Sequence, residues 1–320
     1  MTRHAPLACL LVVHWNRPDE TVECVRSLQQ TDYPALDIVI VDNDSEQEAV
    51  DVLRHRLPEI PIVQSPSNLG YAGAFNLGAD FALRELKPDY LWLLNNDTIV
   101  DRACPAEMLA ASRRLGPAII SPKILQWDDH SVLWYAGGYL EPNLKSHHIG
   151  RDEPDRGQYD ETRVIPWASG CSLFVSVESL RTIGPMSDLY FLYLEDVDWC
   201  LQAAKRGVPT YFVPQAKLYH GISKSVDMLD RRASVYYGWR NYYYLAFRNG
   251  SLRQRLGALG DLTSRLLKTV VRLSLQPSAR QDAMYGARST ALVDVVRHRT
   301  GPAPYSTPQL FSRPAISEAV

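Results

Sequence analysis

The 320-residue chain has few cysteines and no long apolar run, and both shortages exclude classes of protein. Its five cysteines are scattered, and no two are spaced as Cys-x-x-Cys. This spacing argues against a disulfide scaffold and a structural zinc site, and it suits a reducing cytosol. No 18 apolar residues run uninterrupted, and the apolar run before His14 has only about seven residues. We therefore expect neither a signal peptide nor a membrane span.

Acidic and basic residues are divided unevenly along the chain, although the formal net charge is only -2. Residues 1–200 carry 16 Lys and Arg against 30 Asp and Glu, whereas residues 201–320 carry 18 against 6. The acidic part would repel the phosphates of a nucleic acid. We therefore expect no nucleic-acid partner.

Apolar strands alternate with helical segments over the first hundred residues. The pattern predicts strands at 7–13, 37–41, 60–64 and 90–94 and helices at 19–30, 46–57 and 74–86, with Asp19 as the N-cap of the first helix. Continuous apolar strands between helices predict a parallel sheet that is covered on both faces. Ligands of such sheets bind at the carboxyl ends of the strands, and the polar clusters of this segment follow the strands there.

The pattern changes after residue 117 and again after His220. Shorter strands and a loop-rich stretch are followed by a regular segment at 194–206, which Gly207 is expected to end. Residues 236–247 hold seven aromatics, a density more typical of core packing than of a sugar platform. Residues from Gly301 onward are rich in proline and serine, which predicts a mobile tail.

Residues 251–275 predict a basic amphipathic helix. Its apolar side comprises Leu252, Leu256, Leu259, Leu262, Leu266, Leu267 and Val270, opposite Arg265, Lys268 and Arg272. One interpretation is an interfacial helix that rests on anionic lipid and collects a lipid-linked acceptor. The other is a helix packed on the catalytic domain or on a second subunit, with a solvated basic face.

Two acidic clusters are candidates for chemistry. Asp97 follows a buried strand, where a carboxylate can hold a divalent metal that bridges the oxygens of a diphosphate, although such a residue is also a common helix cap. Glu195 and Asp196 open the helical segment at 194–206, where the helix dipole favours an ionised carboxylate that could act as a general base or only as a capping charge. His220 would gain a role if the fold brought its neutral imidazole to Asp97.

Taken in order, the motifs resemble the family 2 glycosyltransferases, and within them the rhamnosyltransferase-like branch. The motifs are VVHWNRP, IVIVDNDS, NLGYAGAFNLG, LWLLNNDT, WASGCSLFV, IGPMSDLYFLYLEDVDWCLQAAKRG and VPQAKLYHGISKS. Each motif alone is weak, but the ordered set is specific and covers about residues 7–225. The resemblance implies a GT-A fold: an α/β architecture with a Rossmann-like, mostly parallel sheet and helices on both faces. The residue pattern beyond this region adds a C-terminal helical extension.

The resemblance also implies a division of the chain. A GT-A catalytic domain would occupy residues 1–225, with a nucleotide-binding half at 1–100 and an acceptor-binding half at 101–225. A basic helical extension would follow at 226–300, and the tail would occupy 301–320.

Residue roles are implied in the same way, motif by motif. The nucleotide-sugar would be bound by Trp15, Asn16, Arg17, Asp42, Asn68, Gly70, Asn95 and Asn96. Asp42 would hydrogen-bond the base, and Gly70 would allow close backbone approach. Asp97 would be the metal-binding last residue of the DXD element, which here reads Asn-Asn-Asp and lacks one carboxylate, and His220 would join it on Mn²⁺ or Mg²⁺. Asp196 would be the catalytic base of the acidic pair that it forms with Glu195, and Trp167 would contact the acceptor unless it belongs to the core.

The implied function is an inverting transfer of a sugar from a dTDP- or UDP-sugar to a hydroxyl of a polysaccharide or lipid-linked saccharide. The enzyme would act in the cytoplasm, at the inner face of the membrane, and the C-terminal helices could join two copies. A nucleotidyltransferase would share the sheet, but it would need a Gly-rich signature with a Lys or Arg that LVVHWNRPDE lacks. A catalytically silent binding or scaffold protein is the remaining alternative.

Overall fold

The computed structural model describes residues 6–221, 231–276 and 282–305. Its strands are β1 (Ala8–His14), β2 (Leu36–Asp42), β3 (Ile62–Gln64), β4 (Tyr90–Asn95), β5 (Thr98–Val100), β6 (Ile119–Gln126), β7 (Leu133–Tyr135), β8 (Gly138–Leu140), β9 (Ser146–His148), β10 (Arg163–Ile165), β11 (Ser172–Ser176) and β12 (Thr210–His220). Its helices are α1 (Pro18–Gln29), α2 (Gln47–Arg56), α3 (Gly70–Phe81), α4 (Cys104–Leu115), α5 (Val177–Ile183), α6 (Glu195–Lys205), α7 (Arg231–Asn249), α8 (Leu252–Leu275) and α9 (Ala283–Val296).

One large sheet forms the centre of the molecule, in the order β10-β12-β6-β11-β4-β1-β2-β3. The first-half strands β3, β2, β1 and β4 are mutually parallel, as the alternation of strands and helices predicts. Strand β11 lies antiparallel between β4 and β6, although both of these strands precede it by many residues in the sequence. The buried Trp92 joins β4 to β11, because its indole N–H donates to Ser172 Oγ at 2.8 Å.

The predicted elements of the first hundred residues are confirmed, with two differences at helix starts. Helix α1 begins at Pro18, with Arg17 as its N-cap, so the prediction of Asp19 as the N-cap is wrong. Proline suits the first helical position because its missing N–H would have no helical partner there, and Asp19 lies instead in the first turn. Helix α3 begins at Gly70 rather than at residue 74, and a π-helical turn (Ala82–Leu86) extends it to the predicted end.

Helix α7 packs against α6, and α8 and α9 pack against α7. Four rings of α7 are buried, those of Tyr236, Tyr237, Tyr243 and Tyr244. The aromatic run therefore serves core packing, as predicted. In the described part of the chain, no helix is both long and apolar enough to cross a membrane.

Helix α8 begins with a capping box formed by Ser251 and Gln254. Of its predicted apolar side, only Leu262 is buried and Leu266 half-buried. The exposed members are Leu252, Leu256, Leu259, Leu267 and Val270. Packing on α7 and α9 thus accounts for one edge of the apolar side, and most of it faces outward.

Of the two predicted boundaries of the C-terminal extension, only the one at 300 lies within the described residues. The boundary at 225 and residues 306–320 of the predicted tail lie outside the described residues. Within the described part, Ala303 is buried and Tyr305 packs edge-to-face on Tyr236, at 6.2 Å between ring centroids.

Candidate active site

Three loops at the carboxyl ends of β1, β2 and β3 are joined by hydrogen bonds into one surface. The Asn16 N–H donates to Ser45 Oγ at 2.9 Å, and Asn16 Oδ1 accepts from the Glu46 N–H at 2.7 Å. The Asn68 N–H donates to Asp44 Oδ2 at 3.1 Å. The predicted nucleotide-sugar residues of these loops, Trp15, Asn16, Arg17, Asp42, Asn68 and Gly70, therefore lie along one edge of the sheet.

Asn43 connects the second and third of these loops. Its Nδ2 donates to Asn68 Oδ1 at 3.1 Å and to the Gly70 carbonyl at 3.2 Å, and its Oδ1 accepts from the Leu69 N–H at 2.8 Å. The preceding residue, Asp42, is 1% exposed at the end of β2. Asn43 was missed as a site residue, although its place in the strand-end motif IVIVDNDS was a signal for it.

The Asn95-Asn96-Asp97 element begins at the last residue of β4, and both of its asparagine side chains hydrogen-bond to other side chains. Asn95 Oδ1 accepts from the Tyr71 hydroxyl at 2.7 Å, and Asn96 Nδ2 donates to Thr21 Oγ1 at 3.0 Å. These hydrogen bonds fix the positions of the two asparagine side chains. Asp97 supplies the one carboxylate of this three-residue element.

Asp97 and His220 meet in the interior, as the metal prediction requires. His220 Nε2 lies 3.1 Å from Asp97 Oδ1, and the two residues are 5% and 2% exposed. The Gly221 N–H donates to the Asp97 carbonyl at 2.8 Å, which fixes the end of β12 beside the element. Burial acts to lower the pKa of His220, but Cys171 and Asp97 outweigh it and raise that pKa well above its ordinary value.

The donor set tests whether these residues suit a divalent ion. Within residues 6–221, 231–276 and 282–305, no group of three His, Cys, Asp or Glu is arranged to hold a metal. Asp97 supplies one carboxylate, and His220 supplies one imidazole once the ion displaces the proton that its raised pKa favours; Mn²⁺ accepts this combination. The pair therefore fits an ion that takes its other ligands from the diphosphate of a donor and from water, as Mg²⁺ also does with substrate phosphates.

The predicted acidic pair opens α6, and its two members lie in different environments. Glu195 is 4% exposed, and burial, together with the neighbouring Asp196, raises its pKa to about 8. Asp196 is half-buried, with Oδ2 accepting from the Gly170 N–H and Oδ1 from the Val197 N–H, each at 2.7 Å. Burial raises the pKa of Asp196 as well, but these two donors oppose the rise. Asp196 is thus the member better suited to carry charge.

Tyr71 links the Asn95 side of the site to Asp196. Its hydroxyl lies 2.7 Å from Asn95 Oδ1 and 2.5 Å from the carbonyl oxygen of Gly170, whose N–H donates to Asp196. Tyr71 belongs to the motif NLGYAGAFNLG but was not predicted as a site residue. The contacts that give it a role span 24 and 99 residues, so only the fold reveals them.

The loop before the acidic pair adopts a strained backbone and is held from two sides. Phe191, Tyr193 and Leu194 have φ of 65°, 69° and 70°, in the left-handed region. On one side, the Tyr71 N–H donates to the Phe191 carbonyl at 2.7 Å. A Cβ on Gly70 would lie 2.2 Å from that same carbonyl oxygen. The close approach that Gly70 permits in this structure is therefore to the loop of the acidic pair.

Helix α7 holds the same loop from the other side. Asn241 Nδ2 lies 3.1, 2.7 and 2.8 Å from the carbonyl oxygens of Tyr190, Leu192 and Tyr193. Arg240 Nη2 donates to the Tyr190 carbonyl at 2.7 Å, and both α7 side chains are fully buried. The helical extension thus contributes directly to the position of the acidic pair.

Trp167, the predicted acceptor contact, lies in the core. It is 3% exposed, and its indole N–H donates to the Tyr139 carbonyl at 3.1 Å. Its ring packs edge-to-face on Tyr135, at 5.8 Å between centroids. Trp167 is therefore a core residue, which was the alternative to an acceptor contact.

Known proteins resemble the chain in sequence and in fold. An L-rhamnosyltransferase of Mycobacterium tuberculosis, named for N-acetylglucosaminyl-diphospho-decaprenol, is 26% identical over 276 residues, which cover 76% of this chain and 86% of that protein. A dTDP-rhamnosyl transferase of Shigella flexneri is 24% identical over 212 residues, or 64% of this chain and 67% of that protein. Among solved structures, a mannosyltransferase of Pyrobaculum calidifontis, in complex with GDP-Man and Mn²⁺, matches with a TM-score of 0.55 and 16% identity over 92% of this chain and 88% of its own.

The structural match confirms the GT-A fold. The family model described as "Glycosyl transferase family 2" matches residues 9–183, which is more than half of the chain. The chain belongs to glycosyl transferase family 2.

Proposed function

We propose that the chain is an inverting glycosyltransferase that moves a hexose from a nucleoside diphosphate sugar to a saccharide hydroxyl. The observation that carries this proposal is the position of Asp196, whose carboxylate accepts from two backbone N–H groups and which is only half-buried. A single displacement needs one base for the acceptor hydroxyl and stabilisation of the departing diphosphate. The Asp196 carboxylate fills the first role.

The proposed reaction proceeds in one displacement. Asp196 takes the proton of the acceptor hydroxyl, the acceptor oxygen bonds to the anomeric carbon, and the bond from that carbon to the diphosphate oxygen breaks. Attack opposite the leaving group inverts the anomeric configuration. A divalent ion bound by Asp97 and His220 would supply the positive charge that stabilises the leaving diphosphate.

For the donor we propose dTDP-rhamnose, with UDP-sugars as the second candidates. The names of the two rhamnosyltransferase relatives support rhamnose, and the hydrogen-bonded loops that contain Asn16, Asp42 and Asn68 supply the nucleotide-binding edge. For the acceptor we propose a lipid-linked saccharide, in keeping with the diphospho-decaprenol in the name of the mycobacterial relative. This acceptor would place the enzyme at the inner face of the cell membrane.

The experiment is a donor panel of dTDP-, UDP- and GDP-sugars with the full chain, with and without Mn²⁺. Release of nucleoside diphosphate and NMR of the product anomeric proton are the measurements. We expect one donor to be turned over, with inversion. Release of pyrophosphate from a nucleoside triphosphate and a sugar phosphate would instead indicate a nucleotidyltransferase. Binding of a saccharide without turnover of any donor would indicate a silent saccharide-binding protein.

A further inference from the structure

A groove of about 1160 Å³ lies beside the acidic pair, between α7, α8 and the β8–β9 hairpin. Tyr193 and Leu194 form part of its lining, and the next two residues of the chain are Glu195 and Asp196. A molecule bound in the groove is therefore next to the loop that carries the base. None of the residues predicted from the sequence for the donor or the acceptor lines this groove.

The walls of the groove are aromatic and basic. Tyr193 is 39% exposed, and Tyr242 is half-buried. The basic residues are Lys145 on the hairpin and Arg253 and Arg265 on α8. Such a lining suits an amphipathic ligand that carries negative charge.

The carboxylate of the groove is already neutralised. Asp261 Oδ2 accepts from Arg265 Nε and from the Tyr243 hydroxyl, each at 2.7 Å. The Arg265 guanidinium also lies over the Trp239 ring, 4.6 Å from its centroid. Arg265 is therefore engaged in building the wall rather than left to bind an anion.

Two cations remain, one on each side of the groove. Burial acts to raise the pKa of Asp261, but Arg265 and Tyr243 outweigh it, and the charge of Lys145 adds less than either to this lowering. In the described parts of the chain, neither Lys145 nor Arg253 makes a side-chain hydrogen bond or a close ion pair. Arginine and lysine in this situation bind phosphate oxygens through charge-assisted hydrogen bonds. Lys145 on the hairpin and Arg253 on α8 thus form an anion-binding entrance to the groove, here called the mouth.

The surface outside this mouth is apolar and basic. Leu252 and Leu256, next to Arg253 on α8, are 74% and 59% exposed, and Leu259 continues the stripe at 51%. The described C-terminal segments, 231–276 and 282–305, contain twelve Arg and Lys against three Asp. An exposed leucine stripe within so basic a surface complements an anionic lipid layer.

We propose that this groove binds the acceptor as a saccharide joined through a diphosphate to a lipid. The diphosphate lies between Lys145 and Arg253, the saccharide extends past Tyr193 toward Asp196, and the lipid chain follows the leucine stripe of α8. This assignment rests on the proposed transfer to a lipid-linked saccharide and adds the site of that acceptor and the two cations that bind its diphosphate.

The test compares Arg253→Glu with Lys268→Glu in the full chain. Lys268 is an exposed cation on the same helix that does not line the groove, so the two variants change the net charge equally. The acceptors are N-acetylglucosaminyl-diphospho-decaprenol in phosphatidylcholine vesicles and an alkyl N-acetylglucosaminide without phosphate. Donor hydrolysis without acceptor is measured in parallel, because it reports on the donor site alone.

We expect Arg253→Glu to raise KM for the diphosphate acceptor at least about tenfold, the size of one charge-assisted hydrogen bond. We expect Lys268→Glu to change it less than about twofold, and neither variant to change KM for the alkyl glycoside or the donor. Equal effects of the two variants, or no effect of Arg253→Glu, would overturn the assignment. Donor hydrolysis without transfer to the diphosphate acceptor would overturn both this site and the lipid-linked acceptor, and would leave the proposed use of a nucleoside diphosphate sugar standing. No turnover of any donor would contradict the proposed glycosyl transfer itself.

Discussion

The backbone N–H of Gly170 donates a 2.7 Å hydrogen bond to Asp196 Oδ2. Together with the Val197 N–H on Oδ1, it supplies each oxygen of this carboxylate with a donor. Glu195, the adjacent residue, has a buried Oε2 without a hydrogen-bond partner in the described structure. Hydrogen bonds to the charged form stabilise a carboxylate anion, and burial without them favours the neutral acid. The two backbone donors therefore favour the charged form of Asp196 against the effect of burial, whereas burial favours the neutral form of Glu195.

The first prediction concerns Asp196→Asn. The amide cannot take a proton from the acceptor hydroxyl, so kcat is expected to fall by about 10²–10⁴-fold, the usual contribution of a general base. Donor affinity, measured by calorimetry with a nucleoside diphosphate, is expected to change little because Asp196 lies outside the nucleotide loops. An Asp196→Asn enzyme within about threefold of wild-type kcat would remove this residue from the mechanism.

The second prediction concerns Glu195 and the pH dependence of stability. The pKa of Glu195 is raised from 4.5 to about 8, so the folded state keeps a proton that the unfolded state loses between these values. Glu195 therefore lowers the free energy of unfolding progressively as pH rises from about 4.5 to 8, and no further above that. Glu195→Gln is expected to be more stable than wild type at pH 8, by on the order of a few kcal/mol, and equal to it near pH 4.

Urea unfolding at pH 4, 6 and 8 measures this difference. Glu178→Gln is the matched control, because Glu178 is an exposed carboxylate in the first turn of α5. Parallel stability curves for Glu195→Gln and wild type across this range would show that Glu195 does not hold its proton in the folded state.

Most of the fold of the first hundred residues follows from hydrophobic periodicity. The alternation of strands and helices predicts the parallel first half, and strand-end motifs predict that Asp97 and the Asp42 loop share one edge. Contacts between segments that are distant in sequence leave no periodic pattern or motif from which they could be predicted. Tyr71 reaches Gly170, and Asn241 reaches the loop at 190–193, across 99 and 48 to 51 residues.

The C-terminal extension is a second example of what the sequence pattern leaves undecided. Its amphipathic pattern predicts a helix at 251–275 correctly, but the same pattern serves both packing and an interfacial surface. Only the structure shows that Leu262 packs inward whereas Leu256 and Leu267 face outward. From the sequence alone, the catalytic motifs end before this extension. In the structure, however, Arg240 and Asn241 of α7 hydrogen-bond to the loop before the acidic pair.

The third prediction concerns the metal pair. Mn²⁺ with a nucleoside diphosphate is expected to raise the Tm of the wild-type protein, because ligands that bind the folded state stabilise it by about 2.7 kcal/mol at a hundredfold excess over Kd. Asp97→Asn removes the carboxylate ligand and is expected to abolish the Mn²⁺-dependent part of this shift. Asp128→Asn, in an exposed turn, is the control and should keep the full shift. A full Mn²⁺-dependent shift in Asp97→Asn would place the ion elsewhere.

The fourth prediction concerns Gly70→Ala. An alanine there adopts the left-handed φ of +71° and places its Cβ 2.2 Å from the Phe191 carbonyl oxygen, so the loop before the acidic pair must move. Gly207→Ala, at φ +78° with open space around the Cβ, incurs only the backbone cost. We expect Gly207→Ala to lose about 1–2 kcal/mol in stability and to keep its kcat. We expect Gly70→Ala to lose more stability and to lose kcat as well, and equal kcat in the two variants would contradict this.

The fifth prediction concerns Asn241→Asp, which keeps the side-chain shape and removes the donor. A carboxylate would then face the carbonyl oxygens of Tyr190, Leu192 and Tyr193 within about 3 Å, and at least two hydrogen bonds would be lost. The cost of unpaired buried groups, about 1–3 kcal/mol each, is expected to lower the free energy of unfolding, measured by urea denaturation. Because the strained φ values at Phe191, Tyr193 and Leu194 depend on this support, the loop should relax and misplace Asp196.

The measurement that separates a positioning role from a structural one is the division between kcat and donor KM in folded protein below its Tm. We expect kcat to fall by about tenfold or more and donor KM to stay within about twofold, because the nucleotide loops do not contact α7 through Asn241. Asn249, near the end of the same helix, bonds to Asp198 rather than to the loop, so Asn249→Ala is the control for α7 packing and should keep its kcat. A proportional loss of stability in both variants with unchanged kcat would show that Asn241 supports the fold without positioning the base.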